Sequence, residues 1–131
     1  MHIFADYHTH TLYSHGTGTV EENVIAAMER GLREIAISEH ASANMFYGVS
    51  KEKLREIRRE TDRLNRVYGD RIRVLMGLES NLTGIGNCDV PKDEAMFDFV
   101  ILGYHRGIFP KNGFAARAIL EAAKKRGNGK K

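Results

Sequence analysis

The sequence predicts an α/β protein with a parallel sheet, and three observations carry that expectation. Short apolar runs alternate with amphipathic stretches along the whole chain. The amphipathic stretches open on helix-capping residues. The histidines and acidic residues that could do chemistry recur where apolar runs end, which is where parallel α/β folds build their sites.

Ile3 to Ala5 is expected as the first strand. Thr19-Val20-Glu21-Glu22 forms a capping box, with the Thr19 hydroxyl and the Glu22 carboxylate placed to satisfy free amides at a helix start. The helix it opens carries Val20, Val24, Ile25, Met28 and Leu32 at helical spacing and ends near Gly31. Glu34 to Ser38 gives a second strand. Ser50 caps a long helix with Leu54, Ile57, Thr61, Leu64 and Tyr68 on one face, closed by Gly69. Arg71 to Leu78 is expected as the third strand and Phe97 to Leu102 as the fourth. Between them, residues 83–93 hold two glycines, Asn87 and Pro91, and are expected as loop. A last helix is expected over residues 115–126. Strands alternating with helices argue for parallel pairing through βαβ crossovers, although the third-to-fourth connection shows no clear helix.

With 131 residues, 42% of them hydrophobic and 28% charged, the chain is expected as one soluble domain over residues 1–131. No apolar run approaches the roughly 20 residues of a membrane span, and no signal-peptide core is evident. The one cysteine, Cys88, excludes an internal disulfide and fits a reducing, cytoplasmic setting. The net charge of +3 owes much to Lys124, Lys125, Arg126, Lys130 and Lys131. Such a tail can attract polyanions, but a solvated helix end is the plainer account, so nucleic acid is not expected as a partner.

Asp6-Tyr7-His8-Thr9-His10 is the densest chemical signal. On an extended segment, residues 6, 8 and 10 share a face, which brings two imidazoles and a carboxylate together in a metal-ligand set. His15 follows in a turn-like loop, Glu39 and His40 lie just past the second strand, Glu79 follows the third and His105 the fourth. Each of these could be an ordinary loop or core residue. Together with His8 and His10 they point to a shared metal centre. Several imidazoles plus a bridging carboxylate such as Glu79 can hold two ions roughly 3.5–4 Å apart, which lowers the pKa of bound water and stabilises charge on a phosphoryl group. Magnesium alone fits this donor set less well.

These pieces resemble the PHP (polymerase and histidinol phosphatase) family of metal-dependent phosphoesterases. The matching segments are DYHTH at 6–10, YSHG at 13–16, ISEH at 37–40, GLESN at 77–81 and GYH at 103–105. The resemblance implies a distorted (β/α)7 barrel, of which this chain holds about the first four βα units. It implies two to three divalent ions, zinc, manganese or iron. By motif, His8 and His10 would hold one ion with Glu79 as a bridge, His15 and His40 a second, and His105 a third beside Glu79. Asp6 would orient a ligand histidine, and Arg106 would meet the substrate phosphate. The family's second motif usually reads aspartate-histidine, so the role of Glu39 is open.

The family pattern continues past residue 131 with a further strand and further ligands, so the resemblance predicts a domain truncated on its C-terminal side. Three functional expectations follow. The chain acts as a histidinol-phosphatase-like hydrolase of a small phosphorylated substrate. It is a catalytically incomplete metal-binding fragment of such an enzyme. Or it is a nuclease-type module acting on nucleic-acid ends. An open barrel edge would also offer a route to self-association.

Overall fold

A computed structural model describes residues 3–84, 86–103, 120–121 and 123–125. The elements run β1 (Ala5–Thr9), α1 (Val20–Glu29), β2 (Glu34–His40), α2 (Lys51–Tyr68), β3 (Arg73–Gly84), β4 (Asn87–Cys88), a 3-10 turn over Glu94–Met96, and β5 (Phe99–Gly103). Strands β1, β2, β3 and β5 lie side by side in that order, every pair parallel. This is the expected architecture: half of a (β/α) barrel, with α1 and α2 as the first two crossovers. The third connection carries the short β4, antiparallel to the far end of β3, and the 3-10 turn.

The helices begin where capping chemistry places them. Thr19 Oγ1 accepts from Glu22 N at 3.2 Å while Glu22 Oε2 accepts from Thr19 N at 2.7 Å, so both halves of the capping box are made. Gly31 follows the helix at φ 78°, a left-handed conformation that suits a residue without Cβ. Ser50 Oγ accepts from Lys53 N at the start of α2. Leu54, Ile57, Thr61 and Leu64 line the buried face of that helix, as their spacing predicts.

That face packs on Ile35, Ile37, Val74, Met76 and Leu78 of the sheet, together with Val20 and Val24 of α1. Strand β2 is buried over six consecutive residues, 35–40, the mark of a parallel strand covered on both faces. Two side chains fasten α2 to the sheet. The Asn65 amide pairs with both backbone groups of Val74, at 2.7 and 2.9 Å. Arg58 donates to Asp98, whose carboxylate accepts from Met76 N at 2.8 Å.

The fourth expected strand covers Phe99–Gly103 rather than 97–102, and the other three run well past their expected ends. β1 covers 5–9 rather than 3–5, β2 runs on to His40, and β3 runs on to Gly84. In each case the backbone ladder continues past the point where the apolar pattern stops, into the polar residues of the site. His40 pairs with Glu79 in register, the last step of the β2–β3 ladder. Part of the stretch expected as loop, Asn87–Cys88, is recruited to pair with this extension of β3. Of the expected last helix, residues 120, 121 and 123–125 are described and helical. Among the described residues, no helix is long and apolar enough to cross a membrane.

Candidate metal centre

The site forms at the carboxyl edge of the parallel sheet, from β1, the loop after it, the end of β2 and the middle of β3. In β1 the pairing with β2 shifts register between Asp6 and Thr9, a bulge that spans His8. Bulges re-aim side chains and break strict alternation. The shared face expected for Asp6, His8 and His10 therefore does not carry through unbroken. Asp6 Oδ1 instead accepts from His8 N at 3.1 Å, satisfying a backbone amide within the bulge. Side chains brace the same stretch: Thr9 Oγ1 donates to Ala36 O at 2.7 Å and Ser38 Oγ to Tyr7 O at 2.8 Å.

Three imidazole nitrogens converge on one carboxylate oxygen. Glu79 Oε2 lies 3.1 Å from His8 Nε2, 3.2 Å from His10 Nε2 and 3.2 Å from His40 Nδ1. His8 Nε2 and His10 Nε2 are themselves 3.2 Å apart. A second group lies beside the first, with His15 Nε2 3.0 Å from His40 Nε2. The ring of His10 stacks on that of His40 at 4.7 Å and 18°, and lies 4.2 Å from that of His15. Two sets of three ligand atoms thus gather within 4.8 Å of one another: His8, His10 and Glu79, and His10, His15 and His40. His10 belongs to both.

The donor set and its spacing fit a transition metal. Imidazole nitrogens bind such ions at about 2.0–2.1 Å, so the donors of a tetrahedral site sit about 3.4 Å apart, close to the separations seen here. Neutral nitrogen donors with one carboxylate suit zinc, iron or manganese better than magnesium.

The wall behind the ligands is built by Glu39, 1% exposed. Its Oε1 accepts from Thr11 N at 2.7 Å and Thr11 Oγ1 at 2.5 Å, and its Oε2 meets His10 Nδ1 at 3.4 Å and accepts from Ser14 Oγ. Burial pushes this carboxyl up, but the hydrogen bonds from His10, Ser14 and Thr11 outweigh it, and the net effect holds the group below the usual glutamate range. Glu39, whose role the sequence left open, thus holds the imidazole of His10 from behind, as carboxylates commonly do for metal-ligating histidines.

A further support came with no signal that sequence spacing could supply. Asp89 gathers Ser80 Oγ, Asn81 N, Asn81 Nδ2 and Ala43 N at 2.6–3.0 Å, tying the loop after β2 to the extension of β3 just beyond Glu79. Eight residues separate Asp89 from Asn81, and only the antiparallel return through β4 brings them together.

The structure therefore assembles His8, His10, His15, His40 and Glu79 and leaves Asp6 on the backbone of its own strand. His105 and Arg106 lie outside the described residues.

Comparison with known proteins bears on the family. The PHP domain family model matches residues 6–127. A histidinol-phosphatase from Lactococcus lactis is 31% identical over 106 residues, covering 76% of this chain and 38% of the relative. A probable phosphatase of Photobacterium profundum is 31% identical over 117 residues, 83% of this chain and 43% of the relative. The DNA polymerase/3'-5' exonuclease PolX of Bacillus subtilis is 30% identical over 105 residues, 79% of this chain and 18% of the relative. The chain spans less than half the length of these relatives. A solved histidinol phosphate phosphatase from Lactococcus lactis, in complex with zinc, L-histidinol and phosphate, superposes with a TM-score of 0.56 at 26% identity, covering 79% of this chain and 40% of that one. With a family match running from the first motif aspartate, Asp6, to Gly127, the chain belongs to the PHP domain family.

Proposed function

We propose that this chain carries the metal centre of a phosphoric ester hydrolase that acts on a small phosphorylated substrate, in the manner of the histidinol phosphatases it resembles. The observation that carries the proposal is the convergence of His8, His10 and His40 on a single oxygen of Glu79, with His15 completing a second donor set. Divalent ions in such a site make water acidic enough to attack at neutral pH and offset the charge gathering on the phosphoryl oxygens. His8, His10 and Glu79 would hold one ion and His10, His15 and His40 another. Glu39 keeps the His10 ring in one orientation, and Asn44 Nδ2 lies 3.3 Å from His40 Nδ1. His8 and His15 face solvent while His40 and Glu79 are buried, so substrate would approach from the histidine side. We assign Asp6 to holding the β1 bulge in shape and Arg106 to the substrate phosphate.

The test uses the purified chain. It should carry zinc, manganese or iron by elemental analysis and release phosphate from an aryl phosphate. Glu79→Ala should abolish turnover and lower the bound metal to what His10, His15 and His40 can hold. Bound metal without turnover would leave the chain as a metal-binding portion of such an enzyme. Turnover of single-stranded DNA ends in preference to small esters would instead favour the nuclease role, which the similarity to PolX makes worth measuring. Among the described residues β1 pairs with β2 alone, and its other edge, beside exposed Ile3, Phe4 and Tyr7, is where self-association would occur, which sedimentation at rising concentration reads.

A further inference from the structure

The loop joining β2 to α2 carries three large apolar side chains in a row, Met45, Phe46 and Tyr47, the last of which reaches the candidate ligands. Met45 and Phe46 are 83% and 81% exposed, and Tyr47 is partly covered. Exposed apolar clusters of this kind need an explanation, since loops gain nothing by presenting them to water. The loop is not loose. Asn44 Oδ1 accepts from Phe46 N at 3.1 Å and Tyr47 N at 3.0 Å. Its backbone closes on itself through Gly48 N to Asn44 O, and Val49 N returns to His40 O. Asp89 anchors the near end through Ala43 N at 2.8 Å.

The loop is also joined to the ligands. The Tyr47 ring lies edge-on to His15 at 4.9 Å and stacks near His40 at 6.1 Å and 26°, and the Phe46 ring lies 6.3 Å beyond Tyr47. An aromatic path therefore leads from the ligand imidazoles outward over about the length of a small organic ester. Residues 41–49 contain no charged side chain. A surface that follows a polyanionic backbone uses cations, which this loop lacks. The metal centre is itself all imidazole and carboxylate, so it can recognise the phosphoryl half of a substrate but offers nothing apolar to the other half.

From this placement we infer that Met45, Phe46 and Tyr47 form the subsite for the alcohol half of the ester and select an apolar or aromatic leaving group. The inference rests on the phosphoesterase reading above and adds to it the chemical class of substrate. Burying one aromatic ring against part of this patch is worth about a tenfold gain in affinity.

The experiment titrates the metal-loaded full chain with 1-naphthyl phosphate and with methyl phosphate by calorimetry. Naphthyl phosphate should bind at least about tenfold more tightly, and Phe46→Ala should bring the two esters to within about twofold. Met45→Ala should narrow the gap in the same direction. Methyl phosphate affinity and metal content should be unchanged in both variants. Because both side chains are exposed, neither change removes core packing. Equal affinity for the two esters in the unmodified protein would overturn the subsite while leaving the phosphoesterase reading intact. So would a Phe46→Ala variant that weakens both esters alike. A dimer that Phe46→Ala dissociates, with ester discrimination untouched, would make the patch a contact between copies and overturn it equally. Failure of the metal-loaded chain to bind either ester or inorganic phosphate would overturn the phosphoesterase reading, and the subsite with it.

Discussion

Glu39 and Gly16 shape the segment around His10 that carries the first candidate ligands. Glu39 is buried and makes hydrogen bonds to Thr11 and Ser14 while facing the Nδ1 atom of His10. Replacing it by glutamine keeps the volume but removes the charge that orients and polarises the imidazole. Glu39→Gln should weaken metal affinity by about 10–100-fold, measured by competition with a chelator, while the folded protein persists. Gly16 acts sterically. A Cβ at this position would lie 2.2 Å from His10 O, inside any tolerable contact, and the carbonyl is backbone that cannot step aside. The turn over residues 11–16, held by Gly16 N to Thr11 O at 2.9 Å, can therefore close on His10 only with glycine here. Gly16→Ala should lift His15 away from His40 and lower the number of bound ions per chain, read by elemental analysis against the unmodified protein.

Among elements, the helices were legible in the sequence because capping and periodicity are local. α1 begins at the capping box of Thr19, directly after the metal-binding loop, and Asn23 Nδ2 reaches back to His10 O at 2.9 Å. Thr19→Ala should cost about 1 kcal/mol of stability by denaturant titration. Ile57→Ala, in the wholly buried face of α2, should cost about 2–5 kcal/mol by the same measurement. The strands were only half legible. Ile3 to Ala5 announces β1, but its ladder runs through Tyr7, His8 and Thr9, and β3 continues from Leu78 through Glu79, Ser80 and Asn81. Hydrophobic patterning marks where side chains meet the core. At the carboxyl edge the strand persists while its side chains turn to the site, so the pattern ends before the hydrogen bonds do. The bulge at His8 is hidden for a related reason: a register shift is a relation between two strands, and neither sequence segment carries it alone. The candidate ligand set of His8, His10, His15, His40 and Glu79, by contrast, was visible from residue type and from position near strand ends. The supports at Glu39 and Asp89 needed tertiary neighbours to become readable.

At the scale of the whole molecule, the candidate ligands come from elements far apart in the sequence. His8 belongs to β1, His10 and His15 to the loop that leads to α1, His40 to the end of β2, and Glu79 to β3. The carboxylate of Glu79 meets three of the imidazoles at one oxygen. An ion bound by three or four of these side chains ties all of those segments at once, and it binds the folded arrangement far better than an unfolded chain in which the ligands are dispersed. Metal binding should therefore appear as folding stability. At a free ion concentration about a hundredfold above Kd, the stabilisation is about 2.7 kcal/mol, which for a domain of this size raises Tm by about 10 °C. Treatment with a chelator should remove that increment and re-addition of zinc or manganese should restore it. Glu79→Ala should show a smaller metal-dependent rise in Tm, because the oxygen on which three imidazoles converge is gone and only the His10, His15 and His40 set remains. A chelator-insensitive Tm in protein that carries stoichiometric metal would show that the sheet edge is fixed without the ion, and that the ligands are preorganised by Glu39, Asp89 and the β2–β3 ladder alone.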